Sequence, residues 1–539
     1  MRLTTTQMLS VLGAMRLTPI IATADHASAE QPTRLIVALL LAGALEAYIL
    51  AAATRTWRLF FLTGFPFFLS GILFAGYTIM YGTPPGRSLA MIILTTSVEE
   101  IAGFLAISAA LVPTLMVVLA AAVYLYLALK VPNNLRIASG RTQLWQRALL
   151  ASLIPATGYA AWYPNDLIDG LAYSPTTGTA LFIATTVPRA NAALHGSQVA
   201  KIPYHASRTG GEEVHVLVLG ESARRDSWSV YGYRRPTTPY LASLKGEAIF
   251  LQHAVADANL TTWSVPILVS GMTPEQFTTG TIRGNIVDLA REAGYGTAWL
   301  LNQDITISVS AGITPDRLVY PADFKSNILD RHALDATLLP GYRREINRAG
   351  HARFIGIHMI GSHWEYYRRY PPAFNRFIPA EHLSTLSIFQ TGNKVESAVV
   401  DSYDNTVLYT DWFLQQIIEA ARRLTVPATV MFFPDHGEDL QALDGKSGHG
   451  APEYTQHAFE IPAFVWVNDA YRRTHPDKVT ALESNAGREI RSHDVFNTEA
   501  DLLGVTWPGA EPARSFASPL FIPDTATKFA AGGVLIAGP

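Results

Sequence analysis

The uneven distribution of apolar residues most constrains how this chain can fold. Roughly the first 165 residues contain long apolar runs, whereas the remainder alternates short apolar stretches with polar ones. The mean hydropathy of the chain is +0.17, and charged residues make up only 16%, which is too apolar for an ordinary soluble protein. The sequence therefore predicts a membrane-embedded region, residues 1–165, followed by a separate folded region.

Four apolar segments are predicted to cross the membrane, because a helix rises about 1.5 Å per residue and a bilayer core is about 30 Å thick. These segments are 35–53, 59–81, about 105–129 and the shorter 148–163. A further segment, 8–24, is interrupted by Arg16. It is predicted to be either a weak fifth span or a surface or signal-like segment.

Basic residues predict the orientation of these segments. The loop 130–147 contains four basic residues and no acid, and the segment 54–58 contains two arginines. Because cytoplasmic loops are enriched in Lys and Arg, both are predicted to be cytoplasmic. The chain beyond residue 165 then lies on the opposite side of the membrane, whether or not the segment 8–24 spans it.

Charge and cysteine content exclude several function classes. The formal net charge is −3, so no nucleic-acid partner is expected, and the chain has no cysteine. Disulfides and thiolate chemistry are therefore excluded. A zinc ion would have to be bound by His, Asp, Glu or hydroxyl ligands.

The rest of the chain is predicted to be an α/β domain. Short apolar runs typical of buried strands alternate with helical patterns such as 285–294 and 405–424, an arrangement that favours a largely parallel sheet. The predicted strands are 214–220, 296–301, 353–360, 428–433 and 461–467. We predict that this domain covers 211–539 and that 166–210 forms a bridging segment at the membrane surface.

Polar residues follow three of these strands, where reactive groups gather in such sheets. Glu221 follows the first strand, the sequence Gly-Ser-His ends at His363 after another, and Asp435 and His436 follow a third. Glu221, Asp435 and His436 together would form a zinc site that lacks one ligand. The alternative is an ordinary turn, in which Asp435 caps the next element and His436 makes a local hydrogen bond.

The other histidines differ in their expected roles. His363 and His449 lie in loops that can reach the same site, as a proton donor, a phosphate contact or a ligand of a second metal. His358 lies within an apolar run and is expected to be a satisfied core histidine. His457 is expected to be an ordinary surface residue.

Several long motifs, in order, resemble those of bacterial phosphoethanolamine transferases. These enzymes belong to the alkaline phosphatase and sulfatase superfamily, and they modify lipid A, which confers colistin (polymyxin) resistance, or core heptose. The motifs are VHVLVLGESARRDSWSVYGYRRPTTPYL, HMIGSHWEYYRRYPPAF, YDNTVLYTDWF, FFPDHGEDL, GHGAPE and EIPAFVW. The resemblance implies an α-helical transmembrane domain plus an α/β sulfatase-like (alkaline phosphatase-like) periplasmic domain, in a multi-pass protein of the bacterial inner membrane.

The resemblance also implies a ligand set and a nucleophile. In the family, zinc is held by the residues matching Glu221, Asp435 and His436 and by a threonine. That threonine lies about forty residues after the Glu and just before Ser-Val-Pro, which selects Thr261 over Thr262. Ser222 is then not the nucleophile.

The segment 81–100 resembles a periplasmic segment of the family in which a Thr and a Glu four residues later help to bind lipid. The matching residues are Thr96 and Glu100, or Thr95 and Glu99 if the register is one residue earlier. Residues at this spacing share one face of a helix. A plain amphipathic surface helix is the alternative.

Three departures from the family pattern leave the acceptor open. Lipid A enzymes of the family have disulfides flanking several motifs, and this chain has none; Ile92 stands where the family has a substrate-binding Asn. The sequence WLLNQD (299–304) also differs from the lipid A group. The acceptor is therefore either lipid A or the core oligosaccharide.

The implied reaction is a double displacement by a monomeric membrane protein. Thr261 takes phosphoethanolamine from phosphatidylethanolamine, His363 or His449 protonates the leaving group, and the acceptor then receives phosphoethanolamine. A true sulfatase is disfavoured, because Ser264-Val265-Pro266 lacks the following Arg of the sulfatase motif. A phosphoglycerol transferase and a non-catalytic membrane receptor on the same fold remain alternatives.

Overall fold

A computed structural model covers the chain. It describes residues 4–26, 54, 56–81, 108–136, 183–184, 187–188, 203–279, 282–303, 311–321, 333–364, 366–377, 393–444, 448–450, 454–525, 527–531 and 534–537. Contacts divide the chain into two compact units, one within the first 190 residues and one that includes Asn191–Pro539. The predicted domain boundaries at 165 and 210 remain predictions.

In the part of the first unit that the structure describes, there are three long helices. They are α1 (Thr5–His26), α2 (Trp57–Tyr81) and α3 (Ser108–Lys130). Tyr124 of α3 stacks on Phe68 of α2 at 4.4 Å between ring centroids, and its hydroxyl donates to the carbonyl of Phe61 at 3.1 Å. Aromatic packing therefore joins α2 to α3.

These helices coincide with the predicted segments 8–24, 59–81 and 105–129, while 35–53 and 148–163 lie outside the described residues. Counting only the residues that the structure describes in full, no helix combines the length and the apolar character needed to cross a membrane. The membrane spans therefore remain predictions.

The second unit is built on a seven-stranded sheet with the order β3-β9-β8-β2-β7-β5-β6. Its strands are β2 (Val214–Leu219), β3 (Ala248–Leu251), β5 (Gly296–Leu301), β6 (Arg317–Val319), β7 (Arg353–His358), β8 (Ala428–Phe432) and β9 (Ala463–Val467). β9 is antiparallel to both of its neighbours, β3 and β8, and the other strands described in this sheet run parallel to one another. The α/β prediction is confirmed for this unit, and β9 is the reversed strand.

Short strands pair outside the main sheet. They are β1 (Ser207–Arg208) with β11 (Val505–Thr506), β4 (His253–Val255) with β10 (Glu489–Arg491), and β12 (Phe529–Ala531) with β13 (Val534–Ile536). The pair β4–β10 is parallel and the other two pairs are antiparallel. The C-terminal part of the chain is thereby attached to the segment that precedes Thr261.

Helices cover both faces of the main sheet, which explains its continuous apolar strands. Along β2, Leu217 and Leu219 face one buried apolar cluster, whereas Val214, Val216 and Val218 face another. Successive side chains of a strand point to opposite faces, so β2 contributes to both cores. Its position at the centre of the sheet places its carboxyl end between β7 and β8.

The helices of this unit are mostly short. They are α4 (Pro239–Ser243), α5 (Thr261–Ser270), α6 (Pro274–Thr279), α7 (Ile286–Glu292), α8 (Leu339–Ile346), α9 (Asn393–Arg422), α10 (Gln441–Asp444), α11 (Asp469–Thr474), α12 (Pro476–Asn485) and α13 (Asp494–Leu502). Asn285 caps α7 by accepting hydrogen bonds from the amides of Val287 and Asp288. Both predicted helices are present, although α9 begins at Asn393 rather than at 405.

Candidate active site

The three strands that carry the predicted site residues are neighbours in the sheet. β2 lies between β7 and β8 and is parallel to both, with Leu219 opposite His358 and Val218 opposite Phe432. Their carboxyl ends therefore meet at one edge of the sheet. The loop containing Glu221, the loop containing His363 and the loop containing Asp435 and His436 all begin there.

Backbone hydrogen bonds join these loops closely. The amide of Asp435 donates to the carbonyl of Gly220 at 3.1 Å, and the amide of Ser362 donates to the carbonyl of Glu221 at 3.0 Å. Gly361 has a φ of +46°, and a Cβ there would lie 2.9 Å from the carbonyl oxygen of Glu221. Only glycine fits this position without displacing the Glu221 backbone.

Thr261 lies at the first position of α5, with Leu260 as the N-cap. Its hydroxyl is 3.0 Å from Nε2 of His436 and 3.4 Å from each carboxylate oxygen of Glu221. The structure thus brings together the four residues predicted to hold zinc. Thr262 is also buried, but its Oγ1 has no hydrogen-bond partner among the described residues.

Lone-pair atoms of three side chains lie close together beside the Thr261 hydroxyl. The Nδ1 of His436 lies 2.8 Å from the carbonyl oxygen of Gly437, and because a carbonyl only accepts, Nδ1 carries the proton and Nε2 carries a lone pair. That Nε2 is 3.2 Å from Oδ2 of Asp435 and 3.5 Å from Oε1 of Glu221. Within the described residues, Asp435 Oδ2 has no hydrogen-bond donor.

The two carboxylates are buried, and the basic side chain that contacts both of them is His436. Burial raises the pKa of Glu221, and the neighbouring Asp435 carboxylate raises it further. Burial also raises the pKa of Asp435, and it lowers the pKa of His436 to about 3. Among the described residues, neither carboxylate forms an ion pair with Lys or Arg, so the donor set fits a divalent cation, and oxygen and imidazole ligands suit zinc.

The alternative prediction, a turn that is capped by Asp435, is also right in part. Oδ1 of Asp435 accepts hydrogen bonds from the amides of Ser222, at 3.2 Å, and of His436, at 2.7 Å. Asp435 therefore caps its loop with one oxygen and presents the other to the cluster. The capping interaction fixes the direction of the second oxygen.

His449 and His363 lie beside this cluster. The His449 ring centroid is 4.3 Å from that of His436 and 5.9 Å from that of His363. Nδ1 of His449 is 2.6 Å from Oε2 of Glu438, whose other oxygen accepts a hydrogen bond from the Tyr366 hydroxyl. The ligand atoms of Glu221, His363 and His449 also lie within 4.8 Å of one another.

The environment of His363 keeps its ring neutral. Burial and the nearby Arg369 lower the pKa of His363. Its Nδ1 lies 3.1 Å from the carbonyl oxygen of Trp364, so Nδ1 carries the proton and Nε2 accepts. In this tautomer His363 is suited to accepting a hydrogen bond or a proton at the site.

The expectations for two other histidines need correction. His358 is buried as expected and its pKa is lowered to about 4 by burial, but neither ring nitrogen has a hydrogen-bond partner among the described residues. His457 is not an ordinary surface residue, because its carbonyl accepts the amide of Glu438 at 3.1 Å. A Cβ on Gly437 would lie only 2.0 Å from that carbonyl oxygen. His457 thus shapes the loop that contains His436.

Sequence reasoning missed one direct contact with the cluster. The amide nitrogen of Gln303 donates to Oε2 of Glu221 at 2.7 Å, and Gln303 is buried. The signal was present, because Gln303 follows β5 at the edge where β2 and β7 also end. Thr96 and Glu100, their alternatives Thr95 and Glu99, and Ile92 lie outside the described residues.

Comparison with known proteins assigns the chain to a family. The family described as Sulfatase matches residues 214–505. Phosphoethanolamine transferase EptC of Escherichia coli (strain K12) is 26% identical over 328 residues, which is 57% of this chain and 53% of EptC. Phosphoethanolamine transferase EptA of Salmonella typhimurium (strain LT2) is 25% identical over 467 residues, which is 81% of this chain and 82% of EptA. The chain thus spans about half the length of EptC and most of EptA.

Solved structures show the same fold. The integral membrane protein lipooligosaccharide phosphoethanolamine transferase A of Neisseria meningitidis superposes with a TM-score of 0.69 at 20% identity, covering 94% of this chain and 97% of that one. The C-terminal periplasmic domain of EptC from E. coli, in complex with Zn, gives a TM-score of 0.52 at 24% identity, covering 59% and 90%. These matches confirm the family resemblance drawn from the motifs. The chain belongs to the sulfatase family, and the curated relatives described above are phosphoethanolamine transferases.

Proposed function

We propose that this chain is a zinc-dependent transferase of the bacterial inner membrane. It moves phosphoethanolamine from phosphatidylethanolamine to a lipopolysaccharide acceptor, either lipid A or a core sugar. One observation carries the proposal: the Thr261 hydroxyl lies 3.0–3.4 Å from His436 and Glu221 within a buried cluster of metal-ligand atoms. The names of the relatives support the choice of transferred group.

Glu221, Asp435, His436 and Thr261 would hold the zinc. The chemistry of the donor set supports this, since two buried carboxylates and an unprotonated imidazole nitrogen face one another. When bound there, zinc lowers the pKa of the threonine hydroxyl and offsets the negative charge of the phosphoryl group. Gln303 holds one oxygen of Glu221 and so fixes the orientation of that ligand.

In the first step Thr261 attacks the phosphorus of the donor lipid. A bond forms between Oγ1 and phosphorus, and the bond from phosphorus to the diacylglycerol oxygen breaks. Glu221, with both oxygens 3.4 Å from Oγ1, is placed to receive the hydroxyl proton. Phosphoethanolamine is then held on Thr261 as a phosphodiester.

The leaving diacylglycerol oxygen needs a proton, and His449 is placed to give it. The Glu438 carboxylate accepts from Nδ1 of His449 at 2.6 Å, which fixes the ring and balances its charge when both nitrogens are protonated. In that form the Nε2–H of His449 passes its proton to the diacylglycerol oxygen. His363 accepts at Nε2 and is suited to take a proton from the acceptor hydroxyl in the second step. The acceptor oxygen then displaces Thr261, which recovers its proton.

The position of Thr261 in α5 supports phosphoryl transfer as well. Thr261 begins a ten-residue helix, and the amino-terminal end of a helix carries a partial positive charge that favours phosphate groups. A phosphoryl group on Thr261 would lie at that end. The helix therefore adds to the electrostatic stabilisation that this reaction requires.

The membrane arrangement is part of the same proposal. Residues 1–165 form the transmembrane domain, 166–210 lie at the membrane surface, and 211–539 form the periplasmic catalytic domain of a monomer. Thr96 and Glu100 contact the lipid substrate. This arrangement lets both lipids reach Thr261 without leaving the bilayer.

The test is a transfer assay with full-length protein in vesicles that contain phosphatidylethanolamine and lipopolysaccharide. Wild-type protein should add phosphoethanolamine to the acceptor, as detected by mass spectrometry, and Thr261→Ala should abolish transfer while the protein folds and retains zinc. Thr262→Ala is the matched control, because its buried hydroxyl lacks a partner among the described residues. Full activity of Thr261→Ala would sink the assignment, and transfer from phosphatidylglycerol alone would identify a phosphoglycerol transferase instead.

A further inference from the structure

The four residues before Thr261 are held by a buried ionic network that has no part in metal binding. Asp257 is fully buried. Its Oδ1 is 2.7 Å from a guanidinium nitrogen of Arg491, and its Oδ2 is 2.9 Å from Nδ1 of His493. The amide of His493 also donates to Oδ2 at 2.8 Å. We call Asp257, Arg491 and His493 the Asp257 brace.

The backbone of the same segment is held from both sides. The amide of Asp257 donates to Oγ of Ser492 at 3.3 Å, and its carbonyl accepts the amide of Ala530 at 2.9 Å. The amide of Asn259 donates to the carbonyl of Ala530 at 3.2 Å. The segment therefore lies between two parts of the C-terminal region, more than 230 residues away in sequence.

Arg491 connects these two parts. Its guanidinium donates to the carbonyl of Thr527 at 2.6 Å and to the carbonyl of Lys528 at 3.1 Å, and it lies 3.7 Å from the centroid of the Phe529 ring. The side chain is only 1% exposed. A planar guanidinium with several donors can hold all these partners at once, which a lysine cannot do.

The charges of the brace are matched within the chain. His493 and Arg491 lower the pKa of Asp257 against the effect of burial, and Asp257 raises the pKa of His493. Asp257 therefore favours the protonated form of His493, and the two cationic side chains favour the ionised form of Asp257. Removing one partner of such a buried set leaves the others without compensation.

A displacement of Asp257 would also displace Thr261, because the two residues are close in sequence and their segments are joined by a hydrogen bond. Only three residues separate them, and Oγ of Ser264, in the first turn of α5, donates to the carbonyl of Ala258 at 2.8 Å. The first turn of the helix is thus tied to the braced segment. A misplacement of about 1 Å at a reacting group can lower a rate by about 100-fold.

We propose that Asp257 is a positioning residue, whose contacts with Arg491 and His493 fix the start of α5 and with it the Thr261 hydroxyl. The inference rests on the proposed function of Thr261. It adds a role for the C-terminal region, which contains no residue of the metal cluster. Because the chain has no cysteine, no disulfide can hold this segment, and the brace supplies the constraint by charge and hydrogen bonding.

The experiment compares Asp257→Asn with Asp411→Asn in the full-length protein. Asp411 is equally buried and accepts the amides of Tyr240 and Leu241, away from the site. Asp257→Asn should lower kcat for hydrolysis of phosphatidylethanolamine by roughly 10- to 100-fold, with apparent KM within twofold and zinc content unchanged. Asp411→Asn should lose stability with kcat unchanged.

Hydrogen exchange measured by mass spectrometry gives a readout that does not depend on activity. Amides of residues 256–264 should exchange faster in Asp257→Asn than in wild type or in Asp411→Asn. If Asp257→Asn does not fold, Arg491→Lys replaces it. Its kcat should also fall while its apparent KM stays within twofold, and the fall in kcat should be smaller.

The outcomes separate the two proposals. A folded Asp257→Asn or Arg491→Lys with wild-type kcat overturns the positioning role while leaving Thr261 as nucleophile. A wild-type protein that does not act on phosphatidylethanolamine refutes the proposed function instead. In that case the hydrogen-exchange experiment still tests the Asp257 brace. Unchanged amide exchange at residues 256–264 in Asp257→Asn and Arg491→Lys would show that these contacts do not hold the segment.

Discussion

Two buried clusters of charged residues lie at the two ends of one short segment, and they differ in how their acids are compensated. Asp257 is paired with Arg491 and His493, both supplied by the chain. Glu221 and Asp435 face each other and His436 Nε2, and among the described residues neither has a Lys or Arg partner. The first cluster has a lowered acid pKa and the second has raised ones.

This difference separates a structural role from a catalytic one. A buried carboxylate is costly unless a cation or hydrogen bonds compensate it. The Asp257 brace is compensated within the protein and needs nothing further to be stable. Hydrogen bonds compensate the acids around Thr261 only in part, and in the proposed function a metal ion would complete the compensation and act on the phosphoryl group.

The largest expected effect comes from Asp435→Asn. The amide keeps the capping oxygen but removes one negative charge, so zinc content should fall and transfer should drop by at least about 1000-fold. The metal-free variant should unfold at a higher temperature than metal-free wild type, because the repulsion with Glu221 is relieved. Metal analysis, the transfer assay and thermal unfolding in chelator check this. Retention of both zinc and activity would refute the cluster as the metal site.

Removing zinc should affect stability next most strongly. A ligand that binds only the folded state stabilises it by about 4 kcal/mol at a concentration 1000 times its Kd. Thermal unfolding of wild type should therefore shift downward in chelator and recover with added zinc, whereas Asp435→Asn should hardly respond. Equal responses of the two proteins would contradict the assignment.

Gln303→Leu should weaken the site without removing a ligand. Losing the hydrogen bond to Glu221 frees the carboxylate to rotate, and changes of this kind cost about 10- to 100-fold in metal affinity. Competition with a chromogenic chelator measures it. Gln252→Leu is the control, since Gln252 is an exposed residue that contacts the carbonyl of Phe250. An unchanged affinity in Gln303→Leu would show that the contact does not orient Glu221.

Glu499 provides a test that involves no catalytic activity, since among the described residues it is a buried acid outside any candidate metal group and without a basic partner. Among the described residues neither of its oxygens has a hydrogen-bond partner, and burial raises its pKa from 4.5 to about 8. Between these values the folded chain keeps a proton that the unfolded chain has lost. The free energy of unfolding should therefore fall as pH rises from 4.5 to 8, by at most about 1.4 kcal/mol per pH unit from this group.

Glu499→Gln replaces the titratable carboxyl group with an amide of nearly the same shape. Its stability should depend less steeply on pH over this window, and the variant should gain most over wild type near pH 8. Urea unfolding at several pH values measures the difference. Identical slopes for the variant and wild type would mean that Glu499 is charged in the folded protein.

The sequence predicted the residues at strand ends better than the residues that support them. Glu221, Asp435 and His436 each follow a buried apolar run, and the geometry of a parallel sheet brings such positions together. Thr261 could be selected only through the family resemblance. Gln303 also follows a strand that ends at this edge, but its position at a strand end does not specify which nearby side chain it contacts.

The Asp257 brace and the reversed strand could not be predicted, for a common reason. Asp257 meets Arg491 and His493 only after the chain has folded, across a separation of more than 230 residues, and no periodic pattern links them. β9 has the apolar character of a parallel strand, yet it runs antiparallel to β8. Pairing direction depends on how the chain returns to the sheet, which local composition does not specify.

The central claim is that Thr261 carries the phosphoethanolamine group during transfer. The most direct measurement is rapid-quench mass spectrometry of the zinc-loaded protein mixed with phosphatidylethanolamine and no acceptor. Wild-type protein should gain the mass of one phosphoethanolamine group, located by fragmentation on Thr261, and lose it when lipopolysaccharide is added. Transfer to the acceptor without any such adduct, or an adduct on another residue, would contradict the account.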